Sequence, residues 1–438
     1  MKAALAFVGA AGLALSTTGC SGLIGLSRAE NDRLAAFDFY WQRLADDYPL
    51  FGNQHVDWHE LRSRYRAAVP FAQRPHEFYH LLSGMLSELG DLHVSLQVPP
   101  ENFAQDGIAA TSLLDAPGFR VMPIEGRLHV VAWPANAGPH VPDGVPDGAV
   151  YPEIVRVNGF PVVIPLVDNL LLGPPASPVE LQLRWRNGSV TRHVMRRPAA
   201  TTPVRATVLA HLEAEEYRWR LRTNQPLPWI ELLRLDDEES IAGVEQAIAT
   251  AHSPAGIVLD LRRNLGGRFL LAKRLAEHFL TEPIEMVVVP PHPMSTWFGL
   301  VDVEVFVSDP WLPRPPLFDS PLVVMTSAVT GSAAEHMTRI LQRHAGAIVV
   351  GERTAGAEAA IQTERGPDGA TLRFGSTRIV DRTGVGLQRE GVVPDVAVRL
   401  TLEDLEQLGV DEAVMDWERR LLAAARAALQ RRRAADGT

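Results

Sequence analysis

The chain is nearly without lysine. Of its 438 residues only Lys2 and Lys273 are lysine, and arginine carries the rest of the positive charge. A mechanism built on a lysine base therefore has two candidates at most. Cysteine is scarcer still: Cys20 stands alone, so no internal disulfide can form. Beyond the N-terminus there is no uninterrupted apolar run of about 18 residues, the length a membrane-spanning helix needs. A surplus of basic charge is also missing. The formal charge is −10, whereas a nucleic-acid partner calls for a basic face. Internal repeats and low-complexity stretches are absent. So is Gly-x-Ser-x-Gly, the signature of an α/β-hydrolase. The expectation is a protein that uses neither metal nor cofactor and binds no nucleic acid.

What is present starts with a leader. Lys2 precedes an apolar run, Ala3 to Leu15, of signal-peptide length. The residues that follow, Leu15-Ser16-Thr17-Thr18-Gly19-Cys20, look like a bacterial lipobox. That resemblance implies a signal peptide over 1–19, lipidation of Cys20 as the first mature residue, and a tether over 20–30. A lipid there would anchor the chain to a membrane without spanning it, in the cell envelope and facing the periplasm or the exterior. The competing reading is an ordinary secretory signal with a chance cysteine.

The composition is globular, with 46% hydrophobic and 21% charged residues, and the length suggests two or three domains. Residues 31–100 carry apolar and aromatic residues at helical spacing, such as Phe37, Tyr40, Trp41 and Leu44. They end in Leu89-Gly90-Asp91-Leu92-His93, a turn into a strand. Residues 101–200 read as a small β-rich module, with strands at Leu128–Ala132, Glu153–Val157 and Val179–Trp185, the last two followed by Asn-Gly turns. Over 201–400, buried apolar strands (Gly256–Leu261, Leu322–Met325, Ala347–Gly351) alternate with helices (Phe269–Leu280, Ser332–His344). That alternation predicts an α/β domain with a mostly parallel sheet. Residues 401–438 read as a C-terminal helix with a basic tail.

Ser332 opens a helix after a strand and a loop. Free N–H groups at such a helix start can stabilise an oxyanion. The same residues, Ser332-Ala333-Ala334-Glu335, also form a capping-box pattern that needs no chemistry. A second loop, Asn264-Leu265-Gly266-Gly267, follows its own strand. Paired glycines allow close backbone approach, and both loops would meet at one sheet edge, where open α/β sheets bind ligands. Ala333 with Gly266 or Gly267 could then supply a two-donor oxyanion hole.

Four motifs occur in order: Asp260-Leu261-Arg262-Arg263-Asn264-Leu265-Gly266-Gly267, Ser332-Ala333-Ala334-Glu335, Gly351-Glu352-Arg353-Thr354-Ala355-Gly356 and Gly391-Val392-Val393-Pro394-Asp395. Together they resemble the serine peptidases related to C-terminal processing (tail-specific) protease and the tricorn core. Tyr48, Phe51, Asp57-Trp58 and Leu89-Gly90-Asp91-Leu92-His93 are similar to the helical segment of the histidine-using branch. The resemblance implies a crotonase-like (ClpP-like) α/β catalytic domain and a preceding PDZ-like module, whose end Glu153–Gly159 resembles. It implies a peptide or protein substrate.

The tail-specific branch places its lysine base where Ala357 stands here. Lys2 belongs to the leader and Lys273 to a helix. In the other branch a histidine of the helical segment serves, and His93 occupies its place; imidazole accepts and returns a proton near neutral pH. For the acid behind the imidazole the resemblance offers Glu390, preferred here, with Gln388 and Asp91 as alternatives. His336, one turn after Ser332, reads as an ordinary helical position. The reading from another class is a non-catalytic envelope lipoprotein that binds peptides or hydrophobic ligands in the same groove, and inactive members of the family make that a real competitor.

Overall fold

Three sheets organise the chain, and the central one sets the site. The structure, a computed structural model, describes residues 27–48, 56–99, 101–103, 120–132, 151–171, 173–174, 176–196, 217–222, 225–251, 255–289, 306–307, 310–318, 320–357, 359–380 and 390–436. The expected leader and Cys20 lie outside them, as does Gln388. The central sheet has six strands in the order Val396–Ala397, Ile348–Gly351, Leu322–Thr326, Ile257–Asp260, Trp229–Leu232 and Trp219–Arg222. The first five run parallel, and Trp219–Arg222 closes the edge antiparallel.

Both faces of this sheet are covered, which explains its uninterrupted apolar runs. Side chains alternate across a strand, and the alternation divides the core in two. Ile257, Leu259, Leu322, Val324 and Val349 pack against the helices Glu238–Thr250, Phe269–Glu277 and Ala333–His344. Val258, Val323, Met325 and Val350 pack against Ala413, Trp417, Leu421, Ala425 and Leu429 of the long helix Val410–Asp436. The single C-terminal helix expected from the sequence is two: Leu402–Leu408 ends at Gly409, whose φ of 78° breaks the helix before Val410.

The β-rich module is an antiparallel sheet in the order Arg120–Ile124, Arg127–Ala132, Glu153–Val157, Pro178–Arg184, Val190–Arg196. Asn158 and Gly159 both take positive φ, 50° and 81°, as a two-residue hairpin turn requires. The sheet buries Leu128, Val130, Ile154, Leu181 and Leu183 against the helix Ile164–Leu171.

The N-terminal helices Arg28–Asp47, Trp58–Arg66 and Pro75–Ser87 are joined to the second half of the chain by the third sheet. There Ser95–Gln97 pairs antiparallel with the strand Thr371–Val380, and Ala360–Arg365 pairs with the same strand. Leu372 and Phe374 of that strand are buried among the helices' apolar side chains. Asp368, in the hairpin turn, accepts hydrogen bonds from Tyr40 and, at 2.9 Å, from Tyr79. This pairing sets residue 93, just before Ser95–Gln97, beside the strand Thr371–Val380. Asp57 caps the helix Trp58–Arg66 by accepting from the Glu60 N–H at 2.8 Å.

Candidate active site

Two strand-loop units meet at one end of the central sheet. After Ile257–Asp260 the chain turns through Asn264, which is fully buried. Its Nδ2 donates to the Leu232 carbonyl (2.9 Å), and its Oδ1 accepts from the Gly266 N–H (2.8 Å). The Gly331 N–H in turn donates to the Asn264 carbonyl (3.0 Å), and the Thr330 hydroxyl donates to the Leu261 carbonyl (2.8 Å). The glycine loop and the serine loop are thereby bonded to each other. Beneath them Arg262 reaches Asp260 at 2.7 Å and Glu418 at 2.9 Å, with Trp229 Nε1 also donating to Asp260 (3.0 Å). Burial alone would raise the Asp260 carboxyl, but the Arg262 charge and hydrogen bonds outweigh it and hold the group below its ordinary range.

Ser332 has φ 53° and ψ −126°, a backbone conformation that a residue with a Cβ rarely adopts. Such a geometry costs on the order of 1–3 kcal/mol and persists only where the surroundings enforce it. The enforcement is visible. The Ser332 N–H donates to the Glu335 carboxylate and to the Ala357 carbonyl, both at 3.0 Å. Glu335 also accepts from the Thr354 hydroxyl (2.5 Å) and from the Gly356 (2.7 Å) and Ala357 (2.8 Å) N–H groups. Thr354 Oγ1 itself accepts from the Val392 N–H at 2.6 Å. One buried carboxylate thus fastens the serine turn, the 354–357 loop and the 391–392 segment together. Burial pushes Glu335 up to about 7, while every donated bond favours its ionised form. Only half of the capping box is used this way; the Ser332 hydroxyl makes no cap hydrogen bond.

Gly266 stands against the serine: a Cβ on it would lie 2.7 Å from the Ser332 Cβ. Of the expected oxyanion donors, the Gly266 N–H is therefore committed to Asn264, whereas Gly267 and Ala333 make no N–H bond among the described residues.

His93 is buried, and neither ring nitrogen has a hydrogen-bond partner among the described residues. It is presented by a turn in which Asp91 Oδ1 accepts the His93 N–H (2.8 Å), and Asp91 Oδ2 accepts the Tyr48 hydroxyl (2.5 Å). Asp91 thus shapes the His93 backbone. A Cβ on Gly375 would meet the Cβ of Ala359 and, at 3.8 Å, that of His93, two residues along from the carbonyl that holds Ser332. Burial lowers the His93 pKa; the Asp91 charge opposes this and Arg373 adds to it. His336 is also buried, edge-on to Phe269 with ring centroids 5.5 Å apart. Burial, then the charges of His93 and Arg339, lower its pKa to about 3. It is an interior position of the helix, and its ring is within reach of the His93 charge.

Glu390 is not brought to the imidazole. It is exposed, and its carbonyl accepts from Arg353 at 2.8 Å. Lys273 lies on the helix Phe269–Glu277, 3.8 Å from Glu277. The Ala357 position, where the other branch has lysine, does adjoin Ser332 through its carbonyl. Sequence reasoning missed Glu335 and Thr354 as a network, because Ser-x-x-Glu already has a local explanation. It also missed Arg373, which lies outside every motif. Among the described residues no helix is long and apolar enough to cross a membrane.

Comparison with known proteins adds to this geometry. The description "Peptidase family S41" matches residues 230–398, and "Tricorn protease C1 domain" matches residues 29–87. The chain is 27% identical over 352 residues to the chloroplastic C-terminal processing peptidase of Tetradesmus obliquus, covering 77% of this chain and 71% of the relative. Its fold is similar to that of mature CPAF complexed with lactacystin (TM-score 0.56, 13% identity, 91% of this chain and 98% of the other). It is also similar to a putative peptidase from Parabacteroides merdae ATCC 43184 (TM-score 0.50, 18% identity, 88% and 96%).

Proposed function

The chain belongs to peptidase family S41 and is a serine-type peptidase acting on peptides or proteins, and on that premise we propose that Ser332 is its nucleophile and His93 its general base. The assignment is supported by a serine held in a strained helix-start turn and by a buried imidazole whose nitrogens lack partners among the described residues and whose charge acts on His336, one turn beyond that serine. His93 would take the proton from Ser332 Oγ as it attacks the scissile carbonyl, then return it to the leaving amine. The Ala333 and Gly267 N–H groups, on the helix start and the bonded glycine loop, would receive the oxyanion. Water activated by His93 would then hydrolyse the acyl-enzyme. Glu390 is exposed and neither His93 ring nitrogen has a partner among the described residues, so the proposed pair does not include it.

The finer architecture belongs to the same reading. The parallel sheet with its helices over residues 201–400 suits a crotonase-like catalytic domain, and the antiparallel module of residues 120–196 suits a PDZ-like one. The leader and Cys20 support a lipid-anchored protein of the cell envelope.

The test is labelling with a fluorophosphonate together with digestion of a peptide library. Ser332→Ala should abolish both. His93→Ala should slow labelling by about 10²–10⁴-fold, the usual contribution of a positioned base, while His336→Gln should stay within about tenfold. Undiminished labelling in Ser332→Ala would remove the assignment.

A further inference from the structure

We propose that Arg373 forms a subsite for a carboxylate of the substrate beside the scissile bond, so that the peptidase proposed above prefers acidic peptides. The inference rests on that catalytic reading and on the register of one strand. In Thr371–Val380, Leu372 and Phe374 turn into the helical core and are fully buried. Side chains alternate in a strand, so Arg373 lies on the opposite face, shared with Gly375. That is the face on which a Cβ at Gly375 would approach His93. Arg373 is thus about 7 Å along the strand from the position beside the proposed base.

The guanidinium is exposed there, with no ion pair or hydrogen bond among the described residues. Its cross-strand neighbours are the uncharged Ser95 and Thr363. The next residue on that face of the neighbouring strand is a second arginine, Arg365, opposite Thr371. The charges that act on the two site histidines are Asp91 and Arg373 on His93, and His93 and Arg339 on His336. Asp91 is already engaged by Tyr48 and the His93 N–H, and Glu335 is spent on its four donors. The start of the helix Ala333–His344 adds its own partial positive charge. A chain of net charge −10 therefore carries an exposed arginine on the strand face beside His93, and an exposed arginine is the group suited to receive a carboxylate in two-point contact.

A carboxylate can come from an Asp or Glu side chain or from the peptide's free C-terminus. The detergent-solubilised full chain should be given fluorogenic peptides in which Asp and Asn, or Glu and Gln, exchange at each position around the cleaved bond, each made as free acid and as amide. The expected result is a kcat/KM ratio of acid over neutral of about tenfold at one position, the scale of one charge-assisted hydrogen bond. That ratio should fall part-way in Arg373→Lys, which keeps the charge but not the two-point contact, fall to about one in Arg373→Gln, and invert towards lysine-containing peptides in Arg373→Glu. A preference for free acid over amide assigns the terminus; one for Asp or Glu assigns the side chain. Equal cleavage of acidic and neutral peptides by the unmodified protein overturns the subsite and leaves the nucleophile standing, as does a ratio that survives Arg373→Gln. Absence of both cleavage and Ser332 labelling overturns the two together.

Discussion

Gly266→Ala should inactivate the protein through a contact of a single methyl group. Gly266 has φ 103°, and a Cβ there would lie 2.7 Å from the Ser332 Cβ, 2.8 Å from the Gly331 carbonyl oxygen and 3.1 Å from the Ala333 nitrogen. These neighbours are the proposed nucleophile's own stem and its backbone, with no flexible side chain to swing aside. The backbone alone costs an alanine about 1–2 kcal/mol in the left-handed region. Relieving the clash adds strain of the overpacking kind, typically about 1–3 kcal/mol, for a total near 3 kcal/mol. Displacing Ser332 by a fraction of an ångström to an ångström should cost on the order of 10²-fold in rate. Gly188→Ala is the matched control. Its φ is 81°, but a Cβ there meets nothing within 4 Å, so it should lose only about 1 kcal/mol and keep its labelling rate. Urea unfolding gives the stabilities, and fluorophosphonate labelling at a concentration where both variants are folded gives the rates. If Gly266→Ala labels as fast as Gly188→Ala, the glycine loop does not abut the nucleophile and the reasoning fails.

Two further outcomes follow from buried charge. His336 has its pKa depressed to about 3 from 6.5, so its contribution to stability is present above about pH 6.5 and is lost as pH falls; at pH 5 the loss is about 2 kcal/mol. Glu335, raised from 4.5 to about 7, acts in the opposite sense, with stability present below about pH 4.5 and lost as pH rises through 7. Comparing urea midpoints of the unmodified protein and His336→Gln at pH 7 and pH 5 cancels the groups they share, and equal pH slopes would refute the His336 account. Arg262→Ala leaves Asp260 buried without its cation and should cost about 3–5 kcal/mol, read from the same unfolding curves; a loss under about 1 kcal/mol would mean that the ion pair is not what holds the loop base.

The central architecture was legible because its strands are short, wholly apolar and separated by helices, so that Ile257–Asp260, Leu322–Thr326 and Ile348–Gly351 announce a covered parallel sheet. Ser332 and the glycine loop were legible for the same reason, as the two turns that follow such strands. The conformation of Ser332 was not. A capping box and a strained nucleophile turn share the pattern Ser-x-x-Glu, and the donors that separate them, Thr354, Gly356 and Ala357, come from a loop beyond the next strand. His336 read as an ordinary helical position because helical spacing does not report that Phe269 packs against it or that the His93 charge reaches it. Glu390 looked like an acid by its place before Gly391. Its exposure follows from how Gly391 (φ 62°) and Val392 hook onto Thr354, which no spacing encodes.

The most direct test of the account is a crystal structure of the protein after reaction with a fluorophosphonate. The account predicts phosphorus bonded to Ser332 Oγ, with the phosphoryl oxygen within about 3.1 Å of the Gly267 and Ala333 nitrogens and a His93 ring nitrogen within hydrogen-bonding reach of the ester oxygen. Phosphorus on any other residue, or a phosphoryl oxygen turned away from both N–H groups, would contradict it.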